Sequence, residues 1–194
     1  MGPSDEELVG AVQRGDVSAF DVLVRRWDRK IRGAIYRVLG SEDEARDLSQ
    51  EAFLKAYRAL PSFKQEARFS SWLYQIAINL CRDRIRRRKG RTWVSLEALD
   101  EAGEPPQLTP SALDLVESQD LSKRVQAAIM ALPEDEREVI VLKEYEGLTF
   151  VEVAHTLGIP VSTVKTRLYR GLGALRVRLE REGIRGTAAA PAEP

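Results

Sequence analysis

Two runs of basic residues hold most of the chemistry this sequence can offer. Arg82, Arg84, Arg86, Arg87, Arg88, Lys89 and Arg91 crowd one short stretch with only Asp83 among them, and Lys165, Arg167, Arg170, Arg176 and Arg178 ride a second segment near the end. Cations at that density repel one another until an anion arrives, and the anion that fits a row of them is a nucleic-acid backbone. The chain as a whole is neutral, with 30 Lys+Arg against 30 Asp+Glu. The two runs are therefore local features, able to touch a nucleic acid at two points while other faces stay available for other partners. Bond-making chemistry has no comparable signal. Cys81 and His155 are the only residues of their types, which excludes an internal disulfide and a zinc site built from them. A recombinase or nuclease would need a nucleophile or a carboxylate metal cluster on a strand-bearing fold, and neither is visible. No enzyme activity and no cofactor are expected.

The elements that must position these residues are helices. Ser4 with Glu7, Ser41 with Glu44 and Thr149 with Glu152 each have capping-box spacing. Gly15-Asp16 separates a first helix from a longer one over about Ser18–Val38, and a third runs from about Glu42 to Ala59, ahead of Pro61. A fourth begins near Ser70 and runs into the Arg cluster. Four helices within residues 4–90 suffice for one small all-α domain. From Thr92 to Gln119 the stretch has acids, no bases, Gly103 and three prolines (Pro105, Pro106, Pro110). It reads as an acidic linker, either a plain solvated tether or a strand that occupies a basic groove elsewhere. Pro133 suits the first turn of a helix that runs through Val139, Leu142 and Tyr145 to Gly147. The tail from Gly186 to Pro194 is small and Ala/Pro-rich, and is expected to be disordered. The N-terminus lacks the basic start and apolar run of a signal peptide, and no apolar stretch approaches the roughly 20 residues of a membrane helix. A cytoplasmic protein with no membrane insertion of its own is expected.

Thr149 to Leu168 has the spacing of a helix-turn-helix. Ala154 is small where the helices would cross, Gly158 permits the turn, and Val153, Leu157, Ile159, Val164 and Leu168 supply a shared core. In the last helix Val164, Leu168, Leu172, Leu175 and Leu179 form one apolar stripe at about 100° per residue. The other side offers Ser162, Thr166, Tyr169 and Arg170, with Lys165 and Arg167 at its margins. A dry side fixes the pose of a recognition helix, and a donor-rich side reads base edges and phosphates.

Two N-terminal helices also exceed what a plain core requires. In Glu42–Ala59 the buried side is Ala45, Leu48, Ala52, Phe53, Ala56 and Ala59; the other holds Asp47, Gln50, Leu54 and Tyr57, with Glu51 and Arg58 nearby. An exposed Leu ringed by acid and amide groups suits docking on a basic protein surface, although a lone exposed Leu is also commonplace. The helix from Ser70 has apolar residues on several sides, Trp72, Leu73, Tyr74, Ile76, Ile78 and Cys81, and must be largely buried. Its aromatics beside a basic patch could stack on unpaired bases, or Trp72 could simply be core.

The segments Asp47-Leu48-Ser49-Gln50-Glu51-Ala52-Phe53, Phe69-Ser70-Ser71-Trp72-Leu73-Tyr74-Gln75-Ile76-Ala77-Ile78-Asn79 and Leu132-Pro133-Glu134 stand in that order ahead of the helix-turn-helix. With it they make the chain resemble a bacterial RNA polymerase sigma factor of the small two-domain extracytoplasmic-function (ECF) group, over roughly residues 5–182. The resemblance implies an all-α fold. A four-helix sigma-2 domain over 1–91 and a helix-turn-helix sigma-4 domain over 120–183 would be joined by the acidic, Pro-containing linker 92–119 and followed by a disordered tail, 184–194. It implies an alternative-sigma initiation factor that binds core RNA polymerase and directs it to promoters. Asp47, Gln50, Glu51 and Leu54 would dock on the clamp helices of the largest subunit, and the C-terminal domain would meet the flap region. Trp72, Asn79, Arg82, Arg84, Arg86, Arg87 and Arg88 would engage the −10 element of promoter DNA, with a loop near Asn79 capturing a flipped-out base. Ser162, Thr163, Lys165, Thr166, Arg167, Tyr169 and Arg170 would read the −35 element. The linker would thread toward the RNA exit path, and a separate anti-sigma protein would regulate the chain. The competing readings are a stand-alone helix-turn-helix regulator, which the docking motif opposes, and a sigma mimic that sequesters an anti-sigma protein, which should have lost its bases.

Overall fold

The computed structural model describes residues 2–64, 68–94 and 113–184, with side chains at 2–64, 68–90 and 121–184. Every regular element among the described residues is helical. Helix α1, Asp5–Gln13, opens on a complete capping box: the Ser4 hydroxyl accepts from the Glu7 amide while the Glu7 carboxylate accepts from the Ser4 amide. Helix α2, Val17–Leu39, starts at Asp16, whose carboxylate accepts from both the amide and the hydroxyl of Ser18; these bonds, the hydroxyl's first, hold its pKa below the usual Asp value. Helix α3, Glu42–Ala59, has only half of the expected box. Ser41 accepts from the Glu44 amide, but the Glu44 carboxylate turns away to Arg84 and Arg88. A guanidinium offers more than a neutral backbone amide, so the ion pairs win.

Helix α4, Phe69–Val94, meets no Gly or Pro before Gly90. Phe69, Leu73, Tyr74, Ala77, Ile78, Leu80 and Cys81 are all buried, so apolar residues surround it. The cause is its position: α2 and α3 pack on one side of it, and a helix from the far end of the chain packs on another. Burial also drives the Cys81 thiol well above its usual pKa, which leaves it a small apolar filler.

Helix α5, Leu113–Met130, precedes α6, Glu134–Ile140, and Pro133 takes the cap position before α6. Helix therefore occupies both ends of the stretch read as a linker over 92–119: α4 continues to Val94, and no Pro or Gly follows Pro110 to stop α5 from starting at Leu113. The middle of that stretch, 95–112, and the tail from 185 lie outside the described residues. After Ile140 the chain widens into a π-helical turn, Val141–Tyr145, closed by bonds from the Glu146 amide to the Val141 carbonyl and from Leu148 to Leu142. The sequence reading expected one uninterrupted helix here. Helix α7, Phe150–Leu157, has the full Thr149–Glu152 box and stops at Gly158, whose φ of 67° lies in the left-handed region. Helix α8, Val161–Arg181, completes the helix-turn-helix.

The two halves share one continuous apolar core. Its largest fully buried members include Tyr74, Phe69, Leu23, Ile35, Leu73 and Ile78 from the first half and Ile129, Ile140 and Leu142 from the second. The α8 stripe differs from expectation at one position. Val164, Leu168 and Leu175 are buried and Leu179 is partly so, but Leu172 is exposed; Gly171 faces α6 in its place. A Cβ at Gly171 would sit 2.7 Å from Ile140 Cδ1 and 3.3 Å from Glu136 Cβ, so the helices approach here at glycine distance. Replacing Gly171 by Val should destabilise the fold by about 1–3 kcal/mol through overpacking. A urea midpoint unchanged from that of the parent chain would contradict this packing.

Candidate nucleic-acid interface

Three surfaces gather the residues that could meet partners. The first is the outward side of α3. Asp47, Gln50, Glu51 and Leu54 all lie exposed there, and Leu54 is 57% accessible. Tyr57 continues the patch with its ring edge-on to Phe20, 5.0 Å between centroids. On the opposite side Ala45, Leu48, Ala52, Phe53 and Ala56 are buried. The helix is thus split cleanly between core and a free acidic-apolar face.

The second surface is the C-terminal part of α4. Arg86 and Arg87 are exposed. Arg84 and Arg88 both reach back to Glu44 at the start of α3, Arg84 at 3.1 Å. Arg82 is half-buried and makes a two-pronged bond to Glu138 of α6, 2.9 Å from Nε and 2.6 Å from Nη2. That hydrogen bond first, and then the carboxylate's charge, raises the Arg82 pKa against the opposing effect of burial. Lys89 meets Glu134 at 2.7 Å. Asn79 is exposed but sits well inside α4, so the loop expected near it is helix, because nothing between Phe69 and Lys89 breaks the hydrogen-bond ladder. Among the described residues just before α4, 63, 64 and 68 are non-helical, and 65–67 lie outside the described residues. Trp72 is half-buried beside that connection, its ring 4.6 Å from Phe63 and 5.9 Å from Phe69. It belongs to the core and to the rim at once.

The third surface is the outer side of α8. Ser162, Lys165, Thr166, Tyr169 and Arg170 are exposed, while Thr163 and Arg167 are half-buried. Thr166 donates back to the Ser162 carbonyl at 3.0 Å, a bond internal to the helix. Arg167 pairs with Asp135 at 3.1 Å and Arg170 with Glu136 at 3.5 Å. Lys165 stands 5.5 Å over the Phe150 ring, and Lys143 of the π turn stands 5.1 Å over the same ring. Lys143 is a missed candidate: nothing in its sequence neighbourhood shows that it shares the Phe150 ring with Lys165.

The second and third surfaces lie together. A groove of about 470 Å³ is lined by Arg82, Arg86 and Lys89 from α4, by Glu134, Asp135 and Glu138 from α6, by Leu157 and Ile159 at its floor, and by Arg167 from α8. Polar bonds hold the halves in this pose. Arg137 Nη1 donates to the Val38 carbonyl at 2.7 Å, Thr156 to the Ser71 carbonyl at 3.3 Å, and Gln126 to the Tyr36 carbonyl at 3.3 Å. At the far edge the buried Tyr74 hydroxyl donates to Glu146 at 2.5 Å, with Arg37 3.7 Å from the same carboxylate and 4.4 Å over the Tyr145 ring. Burial raises the Glu146 pKa, and the Tyr74 bond, Arg37 and Lys30 oppose it. None of this was foreseen, because Glu146 and Arg37 are unremarkable surface types in the sequence.

No group of three or more His, Cys, Asp or Glu among the described residues could hold a metal ion, and no described helix is long and apolar enough to cross a membrane. Because its folded pKa is raised, Glu146 destabilises the fold once ionised, and that penalty is relieved as pH falls through its folded pKa toward the ordinary 4.5. The wild type should therefore gain stability relative to Glu146→Gln as pH falls from 7 through that window. A wild-type-minus-Gln difference in urea stability that is flat with pH would rule out the burial of an ionisable carboxylate here.

With the geometry in place, comparison with known proteins is informative. Residues 23–91 match the family described as Sigma-70 region 2, and residues 122–175 match Sigma-70, region 4. The chain is 42% identical over 179 residues to the ECF RNA polymerase sigma factor SigW of Bacillus subtilis (strain 168), spanning 90% of this chain and 96% of that one. It is 37% identical over 177 residues to the ECF RNA polymerase sigma-E factor of Escherichia coli (strain K12), spanning 89% and 92%. Among solved structures, CnrH in complex with the cytosolic domain of CnrY superposes with a TM-score of 0.70 at 25% identity, covering 93% of this chain and 99% of that one. The Bartonella quintana sigma factor RpoE in complex with the anti-sigma factor NepR shares the fold, with a TM-score of 0.69 at 24% identity over 84% of this chain and 98% of that one.

Proposed function

This chain belongs to the ECF group of RNA polymerase sigma factors, non-enzymatic initiation factors that direct core polymerase to promoters, and from that premise we propose a division of labour among its three surfaces. Asp47, Gln50, Glu51 and Leu54 on α3 dock on the clamp helices of the largest polymerase subunit. Trp72, Asn79, Arg82, Arg84, Arg86, Arg87 and Arg88 engage the −10 element. Ser162, Thr163, Lys165, Thr166, Arg167, Tyr169 and Arg170 read the −35 element, with Lys143 added as a phosphate contact beside Lys165. The sigma-2 unit takes residues 1–91 and the sigma-4 unit 120–183, where the C-terminal unit meets the flap region. The site of action is the cytoplasm, with core polymerase and promoter DNA.

The observation that carries this reading is the free outward face of α8. Ser162, Thr166 and Tyr169 present hydroxyls between cations, while Val164, Leu168 and Leu175 fix the helix from behind. Hydroxyls and guanidinium groups on a rigid helix are what a major groove is read with, and flanking cations hold phosphates. On α4, Arg86 and Arg87 are exposed beyond the interdomain pairs. Melting a promoter costs stacking of about 1.4 kcal/mol per step, and cations along the exposed strand together with capture of a flipped base offset part of it.

The two elements lie about 25 base pairs apart by their own names, on the order of 85 Å of duplex. Arg86 and Arg167 line the same groove here. Reading both elements therefore requires the halves to separate, and the stretch 95–112, at about 3.3–3.6 Å per extended residue, gives a reach on the order of 60 Å. The closed pose suits the unengaged chain. CnrH and RpoE, which share the fold, are each solved with a protein bound, and we extend an anti-sigma partner to this chain on that basis.

Transcription by purified core polymerase on fragmented genomic DNA tests the whole reading. Discrete transcripts that need this chain are expected, and their start sites reveal the promoter. Core binding without any transcript points to a missing promoter, activator or release step, and no core binding at all points to a stand-alone regulator or a sequestering mimic. Substituting both Gln50 and Leu54 by Arg should abolish co-purification with core while leaving helix content unchanged; retained binding would exclude the α3 face. Substituting both Arg86 and Arg87 by Gln should lower the slope of log affinity against log salt for promoter binding by the holoenzyme by about 1.4–1.8, with an unchanged slope ruling out phosphate contacts.

A further inference from the structure

Helix α6 carries four carboxylates, and each one lies against a base. Glu138 takes Arg82 in the two-pronged bond, Glu134 takes Lys89 at 2.7 Å, Asp135 takes Arg167 at 3.1 Å and Glu136 takes Arg170 at 3.5 Å. Arg82, Arg167 and Arg170 are bases assigned above to DNA, and Lys89 directly follows Arg88, the last base of the −10 set. We propose that α6 is a built-in phosphate mimic. In the unengaged chain its carboxylates occupy the bases that promoter DNA needs, and through Glu138 and Glu134 they latch the C-terminal half over the −10 helix. The proposal rests on the assignment of Arg82 and the bases through Arg88 to −10 DNA.

The four pairs are not equivalent. Asp135 and Glu136 face bases on α8 within their own half, so those pairs survive separation of the halves. Glu138 and Glu134 reach across to α4 and exist only in the closed pose. Acids in the first turn of any helix are favoured by its dipole, which accounts for Glu134, Asp135 and Glu136 without a latch. Glu138 lies beyond that first turn, where the dipole offers little, and its side chain is only 4% exposed. A buried carboxylate needs a cation against it, and here the cation is the half-buried Arg82. The Lys89–Glu134 pair is largely solvated and contributes less. The Arg82–Glu138 bond is therefore the core of the latch. It also makes the exclusion direct: a guanidinium with two donors on one carboxylate cannot offer the same two to a phosphate.

The full-length chain, with Arg29→Cys on α2 and Arg178→Cys on α8 carrying a donor and acceptor dye, tests this by energy transfer. Its affinity for a mixed-sequence single-stranded DNA 30-mer at low salt is the second readout. Replacing both Glu134 and Glu138 by Gln should raise the low-transfer population at least about tenfold and tighten DNA binding by a similar factor. Adding Arg82→Gln and Lys89→Gln to that opened chain should cancel the gain. Unchanged transfer overturns the latch. Opening without tighter DNA binding overturns the competition. Opening with a gain that survives loss of Arg82 and Lys89 overturns the shared-base competition, and with it the −10 assignment of Arg82, while the latch stands. A charge swap, Arg82→Glu with Glu138→Arg, should restore high transfer; a folded swap that stays open removes Arg82–Glu138 as the closing pair.

Discussion

Arg137 is buried with its charge intact and no carboxylate bonded to it. Its two terminal nitrogens donate to three carbonyls: Val38 at the end of α2, Met130 at the end of α5, and Leu132 in the turn before α6. Burial lowers its pKa, opposed by the nearby charges of Glu134 and Glu138. Helix ends leave carbonyls without partners, and this guanidinium supplies three at once. It thereby fixes the start of α6 against the first half of the molecule. The placement of the α6 carboxylates, and of the groove that Glu134, Asp135 and Glu138 line, follows from that anchor.

Around the anchor the interface is mixed rather than greasy. Thr156 and Gln126 donate to backbone carbonyls across it, and Tyr74 and Glu146 share a buried bond. The apolar core continues across it, and its buried polar groups are paired apart from Ser71 Oγ and Arg137 Nε; water can replace many of the polar partners when the halves part. Interfaces of this kind suit domains that must come apart in use. A sigma factor that reads two promoter elements some tens of ångströms apart has that need. On the proposed reading Arg82 and Lys89 can then serve twice, on carboxylates when the halves are together and on phosphates when they are apart.

The exposed face of α3 stands outside this exchange. Leu54, Gln50, Glu51 and Asp47 lie exposed away from the polar bonds between the halves, so the face proposed for polymerase docking can remain available while the bases proposed to meet DNA are paired internally. On the proposed reading, docking and DNA contact are separable in this fold, because they fall on different helices.

Helix positions were largely legible in the sequence because they rest on local rules. Ser4–Glu7 and Thr149–Glu152 cap the helices they were expected to cap, α3 spans Glu42–Ala59, and Gly158 ends α7. The split of α3 into core and outward face was legible for the same reason, since it needs only the 3.6-residue period. The matches to sigma-factor regions 2 and 4 confirm the kinship that the three sequence motifs implied. What the sequence could not decide depends on residues far apart in the chain. Glu44 leaves its capping role for Arg84 and Arg88, Gly171 rather than Leu172 faces α6, Lys143 of the π turn lies over the Phe150 ring that Lys165 also covers, and Arg82 meets Glu138 across 56 positions. Charges in a sequence have sign but no address: a carboxylate four residues from a base is its neighbour on a helix, whereas one on another helix becomes its partner only when the core has brought the two together.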